Sequence, residues 1–314
     1  MMSANNRKYF LSLLFLFALS IFAPSASEAF ESNINIITGY NDNIDRLQEP
    51  QGSSFITTYI DLSHQSLYMK GFGESLFYFN ASYNQPDETE SKTDACIGGH
   101  YSFFPFKSPL MVLGFAESGI FRNEETPADD YNWVSSGGRL KYHYSGRITI
   151  DFLQKLRWRT FSEPLFYYTT VSNPAGTGND TEIIISEDQK DVLMISDGGF
   201  RIDLYPWLHV SINGFFRHMF SSIDKDVYNE SGSRCSIKVS LNRAWYVILN
   251  AGIADKSFNN SIRADTINTA GGVISRAAEG HEVFLGLNYT ENNSSYIEES
   301  YRQKVIQCGL SLFF

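Results

Sequence analysis

The chain has 314 residues, with 25 Lys and Arg against 35 Asp and Glu, so its net charge is -10. Such a charge argues against a nucleic-acid partner, which requires a basic surface, and 25 Phe with 18 Tyr argue against disorder. The three cysteines, Cys96, Cys235 and Cys308, are too widely spaced for a disulfide framework or a CxxC metal site. Mean hydropathy is nevertheless slightly negative, at -0.22. Either a large core is present, or apolar residues alternate with polar ones.

The first 29 residues have the pattern of a signal peptide. Arg7 and Lys8 precede an apolar run over 9–22, and a stretch rich in small residues ends at Ala29. A transmembrane anchor is less favoured, because the run is shorter than the ~20 residues that a helix needs to cross a bilayer. We therefore predict a signal peptide at 1–29, export of the chain, and a single domain at 30–314.

The rest of the chain alternates between apolar and polar residues with a period of two. Ile148, Ile150 and Phe152, for example, alternate with Thr149 and Asp151, which is typical of a strand with one apolar face. The same pattern predicts fourteen strands, near 33–40, 53–67, 74–83, 93–104, 109–121, 131–144, 147–160, 190–204, 208–221, 233–242, 245–257, 264–275, 282–290 and 300–314. The fifth of these strands is apolar on both faces.

The connections between the predicted strands alternate in length. The long, polar connections are 41–52, 84–92, 122–130, 161–189, 222–232, 258–263 and 291–299. The short ones lie around 69–73, 105–108, 145–146, 205–207, 242–244 and 276–280. The longest connection, 161–189, is either a plug in the lumen or a cap outside it.

This alternation of loop lengths is typical of outer-membrane barrels, with short periplasmic turns and long extracellular loops. A secreted β-sandwich is the alternative, but it has no reason to sort its loops by length. Closure into a barrel also pairs the backbone groups internally, as hydrocarbon requires. We predict an all-β fold: a single transmembrane antiparallel up-and-down β-barrel of about 14 strands.

The end of the chain resembles that of Gram-negative outer-membrane β-barrel proteins. Leu310, Leu312 and Phe314 alternate up to the last residue, as in the signal that the barrel-assembly machinery reads in that class. The stretch Gly-Tyr-Asn-Asp-Asn at 39–43 is similar to the first strand of poorly characterised porin-like barrels. The resemblance implies an outer-membrane location, with membrane lipid, lipopolysaccharide and the assembly machinery as partners. It implies no oligomeric state.

The acidic and basic residues are predicted to lie in different places. More than half of the 35 acidic residues fall in the long connections, where they form a solvated surface. Such oxygen-rich clusters also suit divalent cations that bridge lipopolysaccharide, but no EF-hand-like spacing indicates a dedicated metal site.

Nine basic residues fall on the more polar face of the sixth to tenth predicted strands: Arg139, Lys141, Lys155, Arg157, Arg159, Arg201, Arg217, Arg234 and Lys238. Only Asp151, Asp197 and Asp203 are predicted to accompany them. One interpretation is pairing across strands, for example of Asp151 with Arg139. The other is a basic wall in the lumen that favours anions.

No motif indicates catalysis. The six histidines are scattered, without an HxH or HExxH pattern, and no lipase-like motif surrounds a serine. We predict that the chain is not an enzyme and holds no cofactor or metal. The predicted function is a passive pore for small solutes, with anions as one candidate class. The alternative is a non-conducting barrel with a structural, adhesion or assembly role for its acidic loops.

Overall fold

In the computed structural model, the chain forms a closed antiparallel barrel of fourteen strands, which confirms the predicted fold. The structure describes residues 30–43, 52–69, 73–87, 91–105, 108–124, 126–171, 181–222, 227–259 and 262–314. Among these residues, no helix is long and apolar enough to span a bilayer. The predicted signal peptide at 1–29 lies outside them.

Consecutive barrel strands are neighbours, and the last strand closes against the first. The barrel strands are β1 (Phe30–Asn41), β2 (Ser53–Met69), β3 (Gly73–Pro86), β4 (Lys92–Phe103), β5 (Leu110–Asn123), β6 (Tyr131–Ser145), β7 (Ile148–Phe161), β10 (Lys190–Tyr205), β11 (Leu208–Ser221), β12 (Tyr228–Ser240), β13 (Trp245–Phe258), β14 (Ala264–Ala278), β15 (His281–Ser294) and β16 (Tyr301–Phe313). A separate two-stranded sheet consists of β8 (Leu165–Val171) and β9 (Thr181–Glu187).

Several strands extend into segments that the sequence predicts as connections. The predicted connection 161–189 contains the hairpin of β8 and β9, and residues 228–232 belong to β12. Residues 291–294 likewise belong to β15. The predicted ends were wrong because a strand at the rim of a barrel can carry polar side chains on both faces, and its composition then matches that of a loop.

The two faces of the barrel follow from the register. Leu310 lies directly opposite Ile36 on one neighbouring strand and Val283 on the other, and these two side chains are 46% and 50% exposed. Directly opposed residues share a face, so this half-exposed apolar surface is the outer one. Leu312 and Phe314 lie in phase with Leu310 on the outer face.

The stretch 39–43 helps to join the first strand to the last. The side-chain amide of Asn43 donates a hydrogen bond to the backbone oxygen of Arg302, at 2.9 Å. In return, Gln303 Nε2 donates to the backbone oxygen of Asn43, also at 2.9 Å. Asn43 is completely buried. Its hydrogen bonds therefore fasten the closing seam of the barrel at the end that carries the long connections.

Candidate functional site

The inner face is defined by side chains that meet across an intervening strand. Tyr78 on β3 donates its hydroxyl to Glu117 Oε1 on β5, at 2.6 Å. Lys155 on β7 donates to Glu117 Oε2, at 2.5 Å. Strands β4 and β6 lie between these partners. In a closed barrel such long-range contacts form inside the curve of the sheet, so Glu117 faces the lumen.

Glu117 is the centre of a hydrogen-bonded network on this wall. Ser135 Oγ donates to Glu117 Oε2 at 2.7 Å, and the side chains of Glu117 and Lys155 are each only 15% exposed. Gly98 lies opposite both Tyr78 and Glu117. A Cβ at Gly98 would lie 2.6 Å from the Tyr78 hydroxyl oxygen. The glycine therefore leaves the space through which the tyrosine reaches the carboxylate.

Large aromatic rings of the lumen lie over glycines of neighbouring strands. A Cβ at Gly119 would lie 2.6 Å from Trp133 Cε2, and a Cβ at Gly232 would lie 2.7 Å from Phe215 Cζ. Trp133 is 4% exposed and Phe215 is 9% exposed. Because these rings pack against the wall, they do not project across the lumen.

The rings in turn support basic side chains. Arg157 lies over the ring of Trp133, with 4.1 Å between the guanidinium carbon and the ring centroid. The other supported residues are Arg159 over Tyr131 at 5.1 Å, Arg217 and Arg234 over Phe215 at 4.9 and 4.7 Å, and Lys238 over Tyr246 at 4.1 Å. A cation–π contact orients a cation without cancelling its charge. The stacked cations that have no carboxylate partner therefore remain available to an anion in the lumen.

Ion pairs neutralise only part of this basic wall. The pairs are Arg139–Asp151 at 2.7 Å, Lys155–Glu117 at 2.5 Å, Arg201–Asp203 at 2.9 Å and Arg217–Glu230 at 3.3 Å. In the part of the chain that the structure describes, no carboxylate lies within ion-pair distance of the other five: Lys141, Arg157, Arg159, Arg234 and Lys238.

A cavity of about 460 Å³ opens on the same wall, between β6 and β12 and toward the short turns. Its charged lining consists of Arg139, Lys141, Arg201, Arg234, Asp151 and Asp197. Four bases against two acids give this part of the lumen a positive balance.

Solved structures place this architecture among known folds. A bacterial polysaccharide outer-membrane secretin matches with a TM-score of 0.53 and 11% identity, over 92% of this chain and 99% of the other. An anion-selective porin from Comamonas acidovorans matches with a TM-score of 0.50 and 9% identity, over 91% of this chain and 98% of the other. OmpT, an outer-membrane protein of Vibrio cholerae, matches with a TM-score of 0.49 and 8% identity, over 92% of this chain and 99% of the other.

The chain is a β-barrel of the outer-membrane type. No protein-family model and no curated protein sequence matches it. The fold of this barrel and its apolar outer face support a location in the outer membrane.

All nine basic residues predicted for the lumen lie in phase with the inner face of β6, β7, β10, β11 and β12. The alternative of pairing across strands holds for Arg139, Lys155 and Arg217, whose partners Asp151, Glu117 and Glu230 lie on other strands. The structure groups Arg139, Lys141, Arg201 and Arg234 around the cavity. A role for these residues in selecting anions stays a prediction at this point.

The sequence interpretation missed several acids of the lumen. Asp191 lies opposite Arg159, and Glu230 lies opposite Arg217, so the prediction of only three accompanying acids was wrong. Asp191 continues the alternation of its own strand and could have been found from it. Glu117 could not, because β5 is apolar on both faces and its alternation gives no direction.

Proposed function

We propose that this barrel is a passive outer-membrane pore that favours small anionic solutes and is exported by the predicted signal peptide. The observation that supports the proposal is the set of five lumen cations without a carboxylate partner among the described residues. Rows of Lys and Arg in a pore attract anions. The packing of the large rings against the wall favours an unobstructed lumen beside these cations. Membrane lipid and lipopolysaccharide would cover the outer face.

A non-conducting barrel is the second candidate, and the Glu117 network favours it. Its hydrogen bonds join Tyr78 to Glu117 across β4 and Glu117 to Lys155 across β6. The network therefore narrows the lumen on one side. We propose that the barrel has no catalytic activity. His209 pairs with Asp203, but no serine, threonine or cysteine within the described ranges donates a hydrogen bond to His209.

Neutralising three of the unpaired cations tests the pore proposal. In liposomes that contain the refolded protein, swelling is expected to be faster with small organic anions than with neutral sugars of equal size. The combined variant Lys141→Gln, Arg234→Gln and Lys238→Gln is expected to lower the ratio of the anion swelling rate to the sugar swelling rate about two- to thirteenfold, from the effect of one charge to that of all three. This range assumes that each charge, about 8 Å from the solute in water, contributes about 0.5 kcal/mol.

The matched control carries Arg276→Gln and Lys304→Gln. Both residues lie in phase with the outer face, opposite Val283 and Tyr289 respectively. The control is expected to swell like the wild type. An unchanged anion-to-sugar ratio in the lumen variant would contradict the pore proposal, and an absence of swelling with every solute would favour the non-conducting barrel.

We also propose that Leu310, Leu312 and Phe314 are recognised by the barrel-assembly machinery. The Phe314 side chain is 71% exposed, and its backbone exchanges hydrogen bonds with Ser32, which Phe314→Ala preserves. This substitution is expected to lower the amount of folded barrel in the outer membrane severalfold while leaving refolding in detergent unchanged. The control is Phe313→Ala on the opposite face, and equal membrane levels of the two variants would refute recognition of Phe314.

A further inference from the structure

Three hydrogen-bond donors in the lumen lack acceptors among the residues that the structure describes. Nε of Arg157, Nε of Arg159 and Nε1 of Trp133 are buried, and no described residue accepts a hydrogen bond from them. Trp133 lies directly opposite Arg159, and Arg157 lies opposite Ser135, so the donors occupy adjacent positions on β6 and β7. Buried donors are nearly always satisfied in folded proteins. An acceptor from outside the described residues would satisfy these three donors.

The two arginines also give this place its charge. Each guanidinium is held by a ring, Arg157 by Trp133 and Arg159 by Tyr131, and neither is in an ion pair with a described carboxylate. The planar fork of a guanidinium matches the paired oxygens of a carboxylate or a phosphate. Chloride offers no such pair of oxygens.

The neighbouring acids reduce the charge but do not satisfy the donors. Asp94 on β4 interacts electrostatically with both arginines from a distance longer than an ion pair. Asp191 accepts hydrogen bonds from Ser221 at 2.7 Å and from Gln189 at 3.4 and 3.5 Å. Glu117 is engaged by Lys155. The surface around Trp133, Arg157 and Arg159 therefore has unpaired donors and a moderate positive charge. Such a surface suits binding that is strong enough to capture a solute and weak enough to release it.

We propose that Trp133, Arg157 and Arg159 form a binding site for small oxyanions, carboxylate or phosphate, in the lumen near the long connections. The biological use of this site rests on the proposed anion pore, because there it would capture solutes as they pass through the lumen. Its existence can be tested without conduction.

Calorimetric titration of the refolded full-length protein with inorganic phosphate, and separately with acetate, tests the site. Saturable binding of at least one oxyanion is expected, with no comparable binding of chloride. Arg157→Gln combined with Arg159→Gln is expected to abolish the binding. Trp133→Phe keeps the ring but removes the Nε1 donor, and it is expected to weaken binding about fivefold, as the loss of one hydrogen bond predicts.

The matched control is Arg276→Gln, which removes an outer-face arginine whose guanidinium lies 6.0 Å from the ring of Trp245. It is expected to bind oxyanions like the wild type. The absence of saturable binding in the wild type, or wild-type binding in the double variant, would overturn the site. Saturable binding by a protein that does not conduct would refute the proposed pore but not the proposed site. Conduction without saturable binding would refute the site but not the pore.

Discussion

Glu117→Ala is expected to lower the free energy of unfolding by about 3 to 5 kcal/mol, because it leaves the charge of Lys155 largely buried without a counter-ion. The substitution also removes the acceptor of Tyr78 and Ser135. Both hydroxyls would then lose their partner on a wall where the Glu117 and Lys155 side chains are only 15% exposed. Denaturant unfolding of the refolded barrel, followed by tryptophan fluorescence, measures the loss.

A double variant separates the cost of an unpaired charge from the cost of altered packing. Glu117→Leu combined with Lys155→Met removes both charges and keeps apolar volume, and buried pairs replaced in this way are often close to neutral. We therefore expect the double variant to recover most of the stability lost on Glu117→Ala. A double variant as unstable as the single one would show that packing or the lost acceptor of Tyr78 and Ser135, and not the ion pair, accounts for the loss.

Gly119→Val is expected to destabilise the barrel by about 2 to 3 kcal/mol, at the upper end of the range for overpacked interiors. A Cβ at this position would lie 2.6 Å from the backbone oxygen of Ala95 and 2.6 Å from Trp133 Cε2. The contact with the Ala95 oxygen can be relieved only by a shift of the backbone, and the contact with Trp133 requires the indole to move away from the wall. The displaced ring would project into the lumen, and the single-channel conductance of the variant is expected to fall.

Gly114→Val on the same strand is the control for that substitution. Gly114 lies in phase with the outer face, and a Cβ there would meet no atom within 4 Å. The control is expected to be as stable as the wild type and to conduct equally. Equal stability and conductance in Gly119→Val would refute the close packing of Trp133 over Gly119.

The barrel could be predicted from sequence because lipid imposes a simple requirement on its outer face. Apolar residues recur at every second position of the strands, and Ile36, Val283 and Leu310 of three neighbouring strands lie next to one another in the register. This alternation indicates which face is outer in the strands that have one apolar face, but not in β5, which is apolar on both. Fourteen such strands with alternating connection lengths leave a closed barrel as the simplest arrangement.

The ends of strands and the contacts inside the barrel could not be predicted in the same way. The lumen accepts polar side chains, so the end of β12 that contains Glu230 has the composition of a loop. Glu230 nevertheless pairs with Arg217 on the neighbouring strand. The pairing of Tyr78 with Glu117 depends on the curvature of the sheet and on the space above Gly98. Alternation in sequence reports the face of a residue, but not which distant residue it meets.

The central claim is that the lumen carries small anions, and the reversal potential of the wild-type channel tests it most directly. In a planar bilayer between two concentrations of potassium chloride, we expect a reversal potential whose sign shows preferential chloride permeation. The preference should decline as salt is raised, because the Debye length falls from about 10 Å at 0.1 M to about 3 Å at 1 M. A reversal potential of the opposite sign, or an absence of conductance from protein shown to be folded by heat-modifiable mobility, would contradict the account.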